Sequence, residues 1–163
     1  MDHPETMSNP ELRRVNRTIA SVIFISKDGK FLFAKKHPEK GGSYPDAWHI
    51  IGGGQDEGET LRETAVREAL EETGLVIEED RLKPVGEAGY GESEKLQGGE
   101  RVIAEMEFNR FEYRLDQDAA DVGLPDSTDE FAEFRWVDAA GLLEVKQIPG
   151  VGSFWVDNGY VAG

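Results

Sequence analysis

Glu68, Glu71 and Glu72 stand at i, i+3 and i+4, a spacing that puts three carboxylates on one side of a helix. Like charges this close repel one another, and a cation between them relieves the repulsion. Carboxylate oxygens are hard ligands, suited to Mg²⁺ or Mn²⁺. The glycine run Gly52-Gly53-Gly54 precedes the acids, and Glu59 and Arg67 flank them. Most charge runs are simply solvated helix faces. A solvated face, however, has no use for glycine and glutamate at fixed distances upstream.

A helix must hold these acids in place. Thr60-Leu61-Arg62-Glu63 fits a capping box, with Thr60 as N-cap and Glu63 reaching back. Gly74 fits the left-handed position that closes a helix. Between them there is no Pro and no internal Gly. On a helical wheel, Val66, Ala69, Leu70 and Thr73 form an apolar stripe, and the three glutamates span roughly 100° beside it. The expected helix docks on a core and aims its acids along the docked edge. Arg67 lies off the stripe, where it can fork onto a carboxylate such as Glu59 or Glu71 and hold ligand geometry.

The run from Gly53 to Leu75 resembles the signature of the Nudix hydrolase superfamily: Gly, five residues, Glu, seven residues, then Arg-Glu-apolar-any-Glu-Glu-any-Gly-apolar. Gly53, Glu59, Arg67, Glu68, Ala69, Glu71, Glu72, Gly74 and Leu75 fill it without gap or mismatch. At this chain's residue frequencies, chance produces the fixed positions on the order of 10⁻⁵ to 10⁻⁴ per chain. Trp48-His49-Ile50-Ile51-Gly52-Gly53 is similar to the family's approach to the box, with Ile51 where Pro is usual, so the loop has one fewer fixed φ. Phe134-Arg135-Trp136-Val137-Asp138 is similar to the family's late strand and helix entry.

Composition is that of an ordinary globular protein. The chain has 163 residues, 38% hydrophobic and 31% charged, enough for one domain with a substantial core. A net charge of −15 disfavours stable binding of nucleic-acid polymers and makes a bridging divalent cation more necessary for a small polyphosphate. There is no cysteine, hence no disulfide, thiolate zinc site or Cys nucleophile. No apolar run approaches about 18 residues, so no membrane span is expected and the cytoplasm is the default location. Homodimerisation is left open.

Along the chain, residues 1–16 read as a flexible tail and 17–163 as a single domain. Ile19 to Ile25 and Phe31 to Ala34 form a hairpin about Asp28-Gly29. A short strand follows at 47–51. After the helix, strands are expected at 81–90 and 101–114, joined by a polar segment. Residues 115–129 form an acidic loop, long enough to be suspect as functional. A strand at 131–137 and a short helix at 139–145, capped by Asp138, complete the readable elements. The expected fold is an α/β/α sandwich with a mixed, twisted sheet, which the resemblance also implies.

The resemblance further implies Mg²⁺-dependent hydrolysis of a nucleoside diphosphate linked to another group, by water attack at phosphorus. It assigns Glu68, Glu71 and Glu72 as metal ligands, with Glu71 alternatively orienting or deprotonating the water. Glu59 and Arg67 support that site. Gly52 and Gly53 either let the backbone approach substrate or metal, or form a plain turn. A further acid outside the signature is expected, Glu112 or Glu130. Lys35, Lys36 and Arg101 are candidate phosphate contacts or solvated strand-end charges. Trp48, Tyr44 and Tyr90 are candidate stacking residues, with packing preferred for Trp48, and His49 is expected to face solvent. Tyr90, fifteen residues past Leu75, favours a nucleoside triphosphate or dinucleoside polyphosphate over ADP-ribose. A nucleotide sugar remains an alternative, as does a non-catalytic regulatory domain. The isomerase branch uses a cysteine, which this chain lacks.

Overall fold

The computed structural model describes residues 12–40, 46–147 and 151–161. Its strands are β1 (Arg13–Ile25), β2 (Phe31–Lys36), β3 (Trp48–His49), β4 (Ile51–Gly54), β5 (Lys83–Gln97), β6 (Glu100–Arg114) and β7 (Phe131–Val137). Its helices are α1 (Leu61–Thr73) and α2 (Val151–Asp157). The sheet runs β3-β2-β1-β6-β5, with β4 added to β1 and β7 to β2. The pairing is mixed. β1 and β6 are parallel from Arg13↔Val102 to Ile25↔Arg114, whereas β1–β4, β2–β7 and β5–β6 are antiparallel.

Alternation along the strands divides the core in two. Ala20, Val22 and Phe24 of β1 and Leu32 and Ala34 of β2 face one way and pack with Ala65 and Ala69 of α1. Ile23, Ile25, Phe31 and Phe33 face the other way and pack with Phe154 and Trp155 of α2. One helix on each face makes the α/β/α sandwich.

Several elements differ from the expectation. Residues 13–16, expected in a tail, are strand, because β1 begins at Arg13. Residues 13–16 pair with Val102 to Glu105, and charge partners sustain them: Arg13 reaches Glu100 at 3.0 Å, and Arg14 reaches Glu92 at 2.7 Å and Glu105 at 2.6 Å. Such a polar strand lacks the apolar alternation by which strands are read. The polar segment after Tyr90 is likewise strand, with β5 running on to Gln97. Gly98 and Gly99 make the turn into β6 at φ 59° and 83°, a region that favours glycine. On α1, Leu70 is about half exposed, while Thr64, Ala65 and Glu72 are buried with Ala69 and Thr73. The buried stripe is thus rotated from the expected one toward the acids. The expected helix after Asp138 is a single 3₁₀ turn, Ala139–Gly141, whose Gly141 amide donates to Asp138 Oδ1 at 2.9 Å. Among the described residues no helix is long and apolar enough to cross a membrane.

Candidate active site

The local sequence builds α1 as expected. Thr60 Oγ1 accepts from the Glu63 amide at 3.1 Å, and Glu63 Oε1 accepts from the Thr60 amide at 2.8 Å. These two bonds satisfy donors that a helix start leaves unpaired. Gly74 closes the helix at φ 78°, its amide donating to Leu70 O at 2.9 Å. The small Ala65 and Ala69, fully buried, let the helix lie close to the sheet. That approach brings Glu68 and Glu72 against the glycines of β4.

Glu72 is buried, and its Oε1 accepts from the Gly52 amide at 3.0 Å. Loss of water holds its carboxyl well above the ordinary range, and the neighbouring Glu68 charge pushes the same way. The Glu68 carboxyl occupies the space where a Gly53 side chain would begin. A side chain at 53 would therefore displace the Glu68 carboxyl from its present position. Gly52 and Gly53 both belong to the paired strand β4, opposite Ser21 and Ala20, and are not a free turn.

Arg67 is the hub. Its Nε and Nη2 form a fork onto Glu59 Oε2 and Oε1 at 2.7 and 3.0 Å. Nη1 donates to Glu68 Oε2 at 2.7 Å and to Glu71 Oε1 at 3.2 Å, and Nη2 also reaches Gly54 O at 2.9 Å. Hydrogen bonds from Arg67, then from the Asp56 amide, bring the Glu59 carboxyl down to about 2. One guanidinium thus ties the residue before the helix, two acids on it and the glycine strand together.

The acids open onto a cavity of about 530 Å³ lined by Glu68, Glu71, Glu72, Thr128, Asp129 and Glu130. Thr128 to Glu130 end the long loop before β7. The Thr128 amide donates to Phe131 O at 2.8 Å, Thr128 Oγ1 accepts from the Phe131 amide at 3.0 Å, and the His37 ring Nε2 lies 2.7 Å from Thr128 O. Of the two acids considered outside the signature, Glu130 lines this cavity. Glu112 is buried elsewhere, accepting from Tyr160 Oη at 2.7 Å and Arg114 Nε at 2.8 Å.

The donor set is all hard oxygen, which fits Mg²⁺ or Mn²⁺ and does not fit a soft metal. Among the described residues no three acidic or imidazole groups are already gathered at coordinating distance. Arg67 takes oxygens of both Glu68 and Glu71, and mutual repulsion opposes closer approach.

The other candidates lie outside the residues lining this cavity. Lys35 sits over the Trp48 ring at 5.7 Å, with Arg135 at 5.2 Å from the same ring, so Trp48 is a packed rim residue. Tyr90 is 78% exposed on β5. Arg101 pairs with Glu94. Lys36 is nearer the site, 3.8 Å from Glu130. His49 does not face solvent as expected: it pairs with Ala34, and burial pushes its imidazole down to about 4. Tyr44 lies outside the described residues. Sequence reasoning missed Thr128 and Asp129. Their signal was the acid-rich end of a loop already suspect for its length.

The model of the NUDIX domain family matches residues 15–152. The chain belongs to the Nudix family. It is 34% identical over 125 residues to the RNA pyrophosphohydrolase of Rhodospirillum rubrum, covering 75% of this chain and 72% of the relative. It is 38% identical over 68 residues to the nucleoside triphosphatase NudI of an Enterobacter species. That alignment covers 42% of this chain and 47% of the relative, so it spans about half the relative's length. The MutT protein from Bacillus halodurans shares the fold with a TM-score of 0.59 at 20% identity, over 86% of this chain and 78% of that one.

Proposed function

We propose that the chain is a divalent-metal-dependent pyrophosphohydrolase that cleaves a nucleoside diphosphate-linked substrate, with a nucleoside triphosphate or dinucleoside polyphosphate favoured. The observation that carries the reading is the cavity in which the signature acids Glu68, Glu71 and Glu72 meet Glu130 from the far end of the chain. Both relatives described above act on phosphoanhydrides by name, which supports the reaction class.

Glu68 and Glu72, with Glu71 and Glu130 beside them, would hold Mg²⁺ or Mn²⁺. Held by these acids, a divalent ion would supply charge neutralisation at the phosphate oxygens and a more acidic water. Glu72 suits a ligand because its burial and its Glu68 neighbour disfavour a bare negative charge. Glu71 is the exposed member, so solvent reaches it although Arg67 holds one of its oxygens, and it would orient or deprotonate an incoming water. Arg67 and Glu59 are positioning residues that fix the acids. The Gly52 amide orients Glu72. The absence of a side chain at Gly53 leaves room for Glu68.

The test is a panel of nucleotides, dinucleoside polyphosphates and nucleotide sugars with Mg²⁺ in ¹⁸O-water, with products resolved by chromatography. A pyrophosphohydrolase releases a nucleoside phosphate and a second phosphate-bearing product, one of which carries the label at the attacked phosphorus, and chelator abolishes the release. No metal-dependent release from any member overturns the reading. Preferential turnover of a nucleotide sugar or ADP-ribose moves the substrate to that class.

A further inference from the structure

Glu130 reaches the acids of α1 by a route that a regular sheet would not provide. β7 pairs with β2 from Val137 opposite Phe31 to Glu133 opposite Lys35, and then the register slips, so that Lys36 stands opposite Phe131. Ala132 is the extra residue of a β-bulge. Side chains alternate with a period of two, so one extra residue turns what lies beyond it to the other face. Without the slip, Phe131 would share a face with the exposed Glu133 and Arg135 and with Val137, which packs on the α2 side. With it, Phe131 joins Ala65, Ala69 and Phe134 on the α1 side, its ring 5.9 Å from that of Phe134. The bulge therefore delivers the residues just before it, Thr128 to Glu130, to the face where the acidic cavity lies.

Thr128 closes those residues into a turn. Its amide donates to Phe131 O, and its hydroxyl accepts from the Phe131 amide. Phe131 is 2% exposed and anchors that side of the turn in the core. The remaining polar group of Thr128, its carbonyl, lies 2.7 Å from His37 Nε2. A carbonyl oxygen only accepts, so Nε2 carries the proton and donates. Glu39 Oε2 is 3.6 Å from the other ring nitrogen, beyond hydrogen-bond reach, so the short contact of the ring is with Thr128. His37 directly follows Lys36, the last residue of β2, so the turn is held from a neighbouring strand as well as from its own. Among the described residues the Glu130 carboxylate makes one ion pair, a long one with Lys36 at 3.8 Å. Its place at the cavity thus depends on the backbone that carries it.

We propose that His37 is a positioning residue for the acidic cavity: through the Thr128 carbonyl it fixes the turn that presents Glu130 to Glu68 and Glu72, and so sets the affinity for a divalent ion. In this role His37 touches neither metal nor substrate. The proposal rests on the pyrophosphohydrolase reading and deepens it from the acids that line the site to the residue that aims one of them.

The experiment titrates the full-length protein with Mn²⁺ alone by calorimetry, for wild type, His37→Ala and His37→Gln, and repeats His37→Ala in a Glu130→Gln background. His37→Ala weakens Mn²⁺ binding by about tenfold, the lower end of what supporting residues at metal sites contribute. His37→Gln, whose amide nitrogen can donate to the same carbonyl, retains most of the affinity. In the Glu130→Gln background, His37→Ala changes affinity by less than about twofold, because the carboxylate it positions is gone. Hydrogen exchange followed by mass spectrometry, which needs no metal, shows faster exchange over residues 128–131 in His37→Ala and unchanged exchange in α1. Equal Mn²⁺ affinity in wild type and His37→Ala overturns the proposal. So does an equal loss with and without the Glu130 carboxylate, no rescue by His37→Gln, unchanged exchange over 128–131, or faster exchange that spreads to α1. Wild type that binds Mn²⁺ but hydrolyses nothing in the panel removes the catalytic reading and leaves the positioning role standing. Wild type that binds no Mn²⁺ removes both.

Discussion

On one face of the sheet, α1 packs through Ala65 and Ala69, and the space that glycine leaves at position 53 is taken by the Glu68 carboxyl. On the other, α2 meets β1 and β2 through Phe31, Phe33, Phe154, Trp155 and Tyr160, whose rings pack edge to face at centroid separations of 5.3–6.0 Å. The aromatic face removes large apolar areas from water and supplies stability. The acidic face holds Glu72 buried beside Glu68, an arrangement that works against stability until a cation arrives. The contrast shows how one sheet can carry a strained polar site: the strain on one side is offset by packing on the other.

Trp155→Ala is the sharpest way to break the division. Fully buried among rings, Trp155 leaves a large cavity when truncated, and about 3–5 kcal/mol of stability should be lost in denaturant titrations. Activity per folded molecule should change little. Loss of turnover in protein that is still fully folded would mean the two faces are not separable.

Glu72→Gln should do the reverse. We expect kcat to fall by at least about a hundredfold, since even outer-shell changes at metal sites cost 10- to 100-fold. Metal-free stability should hold or rise, because the cost of keeping Glu72 protonated in its buried place beside Glu68 is gone. An unchanged rate at saturating Mg²⁺ would remove Glu72 from the site.

Gly53→Ala sharpens the same point sterically. Its Cβ would enter the space of the Glu68 carboxyl, forcing that side chain aside. Activity should drop about tenfold or more, with metal affinity falling in parallel. Metal titration by calorimetry distinguishes this from a general loss of fold.

The smallest effect concerns His49, a polar residue among the packed positions of β3. Its pKa is lowered when folded, to about 4 against an ordinary 6.5, so the unfolded chain binds the proton more readily. Its contribution is therefore fully present above pH 6.5 and is lost as pH falls from 6.5 through 4. The slope should stay below about 1.4 kcal/mol per pH unit, the limit for one proton. His49→Gln should flatten the stability profile in that window relative to wild type, and an identical profile would show that His49 stays hydrated.

Elements whose information is local could be read in advance. The capping box at Thr60 and Glu63, the Gly74 stop and the Asp28-Gly29 turn are each set within a few residues, so α1 and the first hairpin stand where expected. The first four residues of β1 and the distal half of β5 were hidden because charged pairs across strands hold them, and cross-strand partners lie tens of residues away. The Leu70 error has the same origin. The wheel supplies a hydrophobic direction, but the sheet chose a face with smaller side chains and buried Glu72 in place of Leu70.

By itself the amino-acid order determined the helix, its three acids and the hard-ligand character of any ion they take, because spacing along a helix converts directly into a shared face. Only the folded chain decided that Glu130, not Glu112, opens onto those acids, and that Lys36 lies 3.8 Å from Glu130. Those groups come from separate strands and loops, and their proximity depends on sheet order and register, which no local pattern encodes.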